Sequence, residues 1–175
     1  MKVLNLWGGA GTGKSTAAAG LFYEMKKLKL NVELVTEYAK DVTWERRYEL
    51  LDDQIYIFAK QQRRISRLAN HGIDWVITDC PLALGLVYAK DDLYSDAFPK
   101  LVIEMFNTYD NYNFLLQRHF EYNPIGRNQK DVEEAKKFDV KITDLINKWN
   151  IKVSTIYGGE IAVDKIIKEI VLPNI

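Results

Sequence analysis

Residues 2–15 read KVLNLWGGAGTGKS, and this stretch decides the fold. Lys2–Trp7 is a short apolar strand, Gly8-x4-Gly13-Lys14-Ser15 follows, and a helical pattern begins at Ser15. A strand, a glycine loop ending in Lys-Ser and a helix together make a phosphate-binding P-loop. The glycines let the backbone curl until successive N–H groups point inward at oxygen atoms, where side chains would block the approach. The helix adds its positive end. Gly8, Gly9, Ala10, Gly11, Thr12, Gly13, Lys14, Ser15 and Thr16 are therefore the expected cradle for the phosphates of ATP, with GTP as an alternative. Lys14 is expected to reach the β- and γ-phosphates, and the Ser15 hydroxyl to ligate Mg2+. The bland alternative is a glycine turn that merely precedes a helix, and the correct flanking elements speak against it.

Outward from this loop, short apolar runs alternate with amphipathic stretches, the pattern of a parallel sheet with crossover helices. Strands are expected at 32–36, 75–79, 112–117 and 152–157, and helices at 15 to about 30, within 38–70, at 131–149 and at 161–171. Asp52 and Asp53 suit the start of the longest helix in the second of these segments. Its apolar side is expected to carry Ile55, Phe58, Ala59, Ile65 and Leu68. Lys60, Arg63, Arg64 and Arg67 fall on another side. The helix at 131–149 is expected to bury Ala135, Phe138, Ile142, Leu145 and Trp149. The fold class is α/β, a doubly wound, five-stranded, mostly parallel sheet with helices on both faces.

Bulk properties agree. The 175 residues fit one domain, 1–175, and are enough to bury a core without disulfides or a structural metal. The one cysteine, Cys80, forms no intrachain bridge, which fits a reducing compartment. With 24 basic and 24 acidic side chains the net charge is zero. That argues against affinity carried mainly by a polynucleotide backbone and leaves only a local basic patch open. The N-terminus shows no export pattern, and no apolar run approaches the ~20 residues of a membrane span. A soluble, cytoplasmic protein without membrane contact is expected.

In a doubly wound sheet, ligands sit beyond the carboxyl ends of the strands. Two acids fall there, Glu37 after the second strand and Asp79 after Val76-Ile77-Thr78. Asp79 has the strand-then-Asp placement that supports magnesium in P-loop enzymes, with Ser15 as the other metal residue. Glu37 suits a base that takes a proton from an attacking hydroxyl. The competing readings are a helix cap for Glu37 and a turn before Pro81 for Asp79. After the fourth strand, Arg118 and Arg127 lie in a polar connection, 118–130, that suits a lid over the γ-phosphate. Arginine there stabilises charge on a transferring group, whereas a solvated connection would leave it touching only water. Tyr38, Trp44 and Arg46 suit contact with an acceptor base or sugar, although core packing explains Trp44 as well. Arg63 and Arg67 suit phosphate contacts, against the bland reading of a solvated helix face.

Through GGAGTGKS, ELVTEYAK, WVITDCP, YNPIGRN and STIYGG, the chain resembles the small P-loop kinases. It looks most similar to the nicotinamide-riboside-kinase-like AAA-type ATPases common in bacteriophages, which would place it in a host cytoplasm. The Glu37…Trp44 spacing is also similar to deoxynucleoside kinases, where a glutamate after the second strand acts as base. The acid–Arg–Ser triplet often found there is replaced by Asp79-Cys80-Pro81, so a phosphate-site arginine must come from Arg118 or Arg127. The resemblance implies an ATP-dependent, Mg2+-dependent kinase acting on a hydroxyl of a nucleoside-like or nucleotide-like acceptor. A kinase of hydroxymethylated bases in DNA, such as 5-hydroxymethyluracil, is one alternative, with DNA as its substrate. An NTP-hydrolysing switch or assembly ATPase is another, and the absence of an additional domain in this length weighs against it.

Overall fold

The computed structural model describes residues 1–90, 93–125 and 129–175. Five strands, β1 (Lys2–Trp7), β2 (Val32–Val35), β3 (Trp75–Thr78), β4 (Asp110–Gln117) and β5 (Ser154–Tyr157), form one sheet in the order β2-β3-β1-β4-β5. Every pairing is parallel, and Leu4 of β1 sits between Ile77 of β3 and Tyr112 of β4. The order reverses at β1, and the crevice beyond its carboxyl end is where such a sheet binds ligands. The glycine loop starts there.

The strands read as near-continuous apolar runs because a parallel sheet is covered on both faces. Alternate residues enter two cores. Leu4, Leu6 and Ile77 pack with Leu21 and Met25 of α1 (Lys14–Lys27) and with Ile166 of α6 (Glu160–Ile166). Val3, Trp7 and Val76 pack with Ile65 of α3 (Gln54–Ser66), Val102 and Phe106 of α4 (Ala97–Asn107) and Ile142 of α5 (Val132–Lys148). The short helix α2 (Tyr38–Trp44) follows β2 directly. Polar pairs are built into this sheet: the buried Asn5 donates to Asn111 at 2.8 Å, and Trp7 donates to Asn113 at 3.1 Å.

The doubly wound architecture is as expected, and its register differs in detail. Asp53 caps α3, accepting from the Tyr56 N–H at 3.0 Å. From that start the helix buries Gln54, Ile57, Gln61 and Ile65, while Ile55 and Ala59 are exposed. Two glutamines occupy the inward face because they have partners there. Gln61 accepts from the Tyr38 N–H at 2.9 Å, and Gln54 donates to the Leu51 carbonyl at 2.6 Å. Helix α5 ends where expected, with Asp131 as its N-cap and Trp149 as its C-cap. Residues 82–107, for which the sequence suggested no element, hold a 3-10 turn, Leu82–Val87, and α4. Among the described residues no helix is long and apolar enough to cross a membrane.

Candidate nucleotide and acceptor site

The phosphate loop has the backbone its sequence calls for. Gly11 and Gly13 take left-handed conformations, with φ of 82° and 87°, which cost glycine nothing. Helix α1 begins without a side-chain cap, so its first N–H groups remain available to an anion. The wall behind the loop is as close as chemistry permits. A Cβ on Gly158 would lie 1.9 Å from the Thr12 carbonyl oxygen, and one on Gly9 would meet Asp139 Oδ1 at 2.2 Å. The Lys14 ammonium donates to the Gly8 and Gly9 carbonyls at 2.7 and 2.9 Å. Two of its three N–H donors are thereby used to hold the loop, and a third remains.

Asp79 follows β3 and is 3% exposed, so its carboxylate needs partners. It has two: Oδ2 accepts from the Ser15 hydroxyl at 2.6 Å, and Oδ1 from the Glu37 N–H at 3.0 Å. One side chain thus joins the ends of β2 and β3 to the start of α1. The turn after it is closed by Thr78, whose hydroxyl bonds both the N–H and the carbonyl of Cys80 at 3.1 Å. The oxygens of Ser15 and Asp79 converge beside the loop, a hard-donor pair suited to a magnesium ion that draws its other ligands from phosphate and water.

Glu37 occupies the N-cap position of α2, yet its side chain makes no capping bond. Glu37 lines the cavity instead. Burial pushes its pKa above the usual carboxylate range, the Lys14 charge opposes that shift, and the Asp79 charge adds to it. A carboxyl held this way keeps its proton more tightly than a solvated one does.

The cavity has a volume of about 210 Å³, room for a small organic ligand. The glycine loop, Lys14 and Ser15 form one end. The other end is walled by Glu37, Lys40 and Thr43, by Gln54 and Ile57 of α3, and by Cys80, Leu84 and Tyr88. Ile125 and Gln129, from the connection after β4, close the side. Tyr88 stacks on Phe138 at 4.9 Å, and burial raises its phenol pKa, so it stays neutral. Burial also pushes the Cys80 thiol well up, which makes it an unreactive part of the wall.

The other sequence-predicted residues fall outside these walls. Tyr38 bonds Tyr56 through their hydroxyls at 2.9 Å, under the guanidinium of Arg64, which pairs with Asp41. Trp44 is 60% exposed, neither core nor cavity. Arg46, Arg63 and Arg67 are exposed. Arg118 is not solvated. It pairs with Asp139 at 3.0 Å and donates to the Ala10 carbonyl at 2.6 Å, on the side of the loop away from the cavity walls. Arg127 lies outside the described residues. The sequence reading overlooked Gln54, Tyr88, Gln129 and Asp139. Only Asp139 left a trace, as a carboxylate on the apolar stripe between Ala135 and Ile142.

A glycine cradle at the sheet's reversal point, with a Lys, a Ser and a strand-end Asp beside it, defines a P-loop nucleotide-binding protein of kinase-like fold. More particularly, the chain belongs to the AAA domain family whose profile matches residues 3–162. It is similar in structure to the NadR protein solved with NAD and AMP-PNP, at 17% identity and a TM-score of 0.66. That match covers 95% of this chain and 49% of NadR, so the chain spans about half that protein's length. It is also similar to deoxyadenosine kinase from M. mycoides with bound dATP, at 17% identity and a TM-score of 0.52, over 99% of both chains. These likenesses match the small P-loop kinase fold expected from the sequence. No curated protein matches the sequence.

Proposed function

We propose that the chain is an ATP-dependent phosphotransferase, one domain spanning 1–175, that moves the γ-phosphoryl group to a hydroxyl of a small nucleoside-like or nucleotide-like acceptor. One observation carries this reading: Glu37, whose side chain makes no capping bond, lines the same cavity as Lys14 and Ser15. The glycine loop and Lys14 hold the triphosphate. Ser15 and Asp79 hold magnesium, which when bound neutralises charge on the phosphate oxygens. Glu37 accepts the acceptor's hydroxyl proton, and the apolar wall of Ile57 and Leu84 excludes water. The connection 118–130 serves as the lid, bringing Ile125 and Gln129 to the cavity. Both neighbouring structures were solved with adenine nucleotides or their analogues, which favours ATP over GTP as donor.

The test is incubation with γ-labelled ATP or GTP and a panel of nucleosides, nucleotides, nicotinamide riboside and hydroxymethylated DNA. Label is expected in a small acceptor, with little response to salt. Label found only in polymer, falling steeply as salt rises, would overturn the small acceptor.

A further inference from the structure

The guanidinium of Arg118 and the carboxylate of Asp139 meet on the outer side of the phosphate loop. Asp139 Oδ1 accepts from the Gly9 N–H at 3.0 Å. Its Oδ2 accepts from Arg118 Nε at 3.2 Å and Nη2 at 3.0 Å, a two-pronged pair. The third prong, Nη1, donates to the Ala10 carbonyl at 2.6 Å. The two residues therefore hold adjacent residues of the loop, Gly9 by its N–H and Ala10 by its carbonyl. Neither residue lines the cavity. Their side chains are 12% and 32% exposed, so the pair is partly shielded from solvent. The contact also accounts for two glycines: a Cβ at Gly9 would strike Asp139 Oδ1, and one at Gly11 would come within 2.9 Å of Arg118 Nη1.

We propose that Arg118 and Asp139 are positioning residues that brace the phosphate loop from behind, keeping it in its nucleotide-competent curl. The proposal rests on the nucleotide-binding reading above and changes the role expected for Arg118, from meeting phosphate charge to holding the backbone that meets it. The curled loop is entropically costly, with Gly8, Gly11 and Gly13 at positive φ, and a free glycine loop samples many other conformations. Apparent affinity falls in proportion to the fraction of molecules whose loop is competent. Charge-assisted bonds to two loop atoms from a helix and a strand end raise that fraction. Asp139 comes from α5 and Arg118 from the first residue after β4, so the brace also ties the base of the lid connection to the loop.

The test uses the full chain and two readouts that need no acceptor: the dissociation constant of ATP with magnesium by calorimetry, and hydrogen exchange across residues 8–13. Asp139→Ala and Arg118→Ala are each expected to weaken ATP binding about tenfold, the effect of losing a charged hydrogen bond. Both should also speed exchange at Gly9. The double variant is expected to lose little more than either single one, because the two residues act as a unit. Asp139→Asn keeps an oxygen for the Gly9 N–H and should retain part of the affinity. It also serves if the alanine variant fails to fold. Unchanged affinity and exchange in Asp139→Ala or Asp139→Asn would overturn the brace. So would an Arg118→Ala variant that binds ATP normally but loses about a hundredfold in transfer rate, which would make Arg118 a phosphate ligand. A wild-type chain that bound no ATP would instead refute the nucleotide reading itself, and the brace with it.

Discussion

The Ser15 hydroxyl donates to Asp79 Oδ2 at 2.6 Å, joining the first turn of α1 to the end of β3 across 64 residues of chain. Asp79 is anchored on its other oxygen by the Glu37 N–H, so the two carboxylates of the site have different duties from the start. Asp79 accepts one donor on each oxygen and is fixed in place. Glu37 is positioned by its backbone, makes no capping bond with its side chain and lines the cavity. That asymmetry makes the roles separable by experiment.

Replacing Asp79 by Asn keeps the shape and removes the charge proposed to hold magnesium. Half-saturation by magnesium should shift upward, while Glu37→Gln leaves ATP affinity nearly unchanged and slows transfer by about 10²–10⁴-fold, as for loss of a general base. ATP affinity, magnesium titration and turnover on both variants check this. Loss of ATP binding in Glu37→Gln alone would reverse the assignment.

Lys14→Ala is expected to cut phosphoryl transfer by about 10²–10³-fold, through loss of a preorganised donor at developing charge. Because Lys14 also bridges the Gly8 and Gly9 carbonyls, faster hydrogen exchange in the loop should accompany the loss, with the far-UV spectrum unchanged. A variant keeping half the wild-type rate would contradict the role.

Burial raises the pKa of Glu37 from the ordinary 4.5, so the folded chain holds its proton more tightly than the unfolded chain does. The associated stability is fully present below the ordinary value and is lost as pH rises through the raised one. Melting of the free protein from about pH 4 to about pH 9 should show this loss, and Glu37→Gln should remove it. Transfer runs the other way. It needs the carboxylate form, so the rate should climb through the same raised pKa.

Gly158→Ala tests the packing behind the loop. The added carbon would sit 1.9 Å from the Thr12 carbonyl, which is backbone and cannot swing aside. A loss of about 1–3 kcal/mol in unfolding free energy is expected, the usual cost of overpacking, with weaker ATP binding. An unchanged melting temperature and affinity would show that the two segments are not in contact.

Much of this was legible in the chain. The P-loop and strand-end acids could be read because they depend on local order: a strand, then a loop, then a helix. The strands were found because burial on both faces makes them continuous apolar runs. Helix α4 was missed since 82–107 carries no clear periodic start signal, with Pro99 inside the helix itself. The inward face of α3 was misjudged because apolar count favoured Ile55, whereas tertiary partners for Gln54 and Gln61 decided the rotation. Arg118 was expected in a lid over the γ-phosphate, whereas its guanidinium bonds the Ala10 carbonyl of the loop. Its partner Asp139 lies on a helix 21 residues further on, a distance no local pattern reports.

The most direct test of phosphoryl transfer to an acceptor hydroxyl is a stoichiometry. ADP and phosphorylated acceptor are quantified together over single and multiple turnovers, using whichever acceptor from the panel takes label. Equal amounts of the two, with inorganic phosphate a minor product and ADP release strongly dependent on acceptor, are the predicted result. ADP formed at the same rate with or without acceptor, and all label in inorganic phosphate, would contradict it.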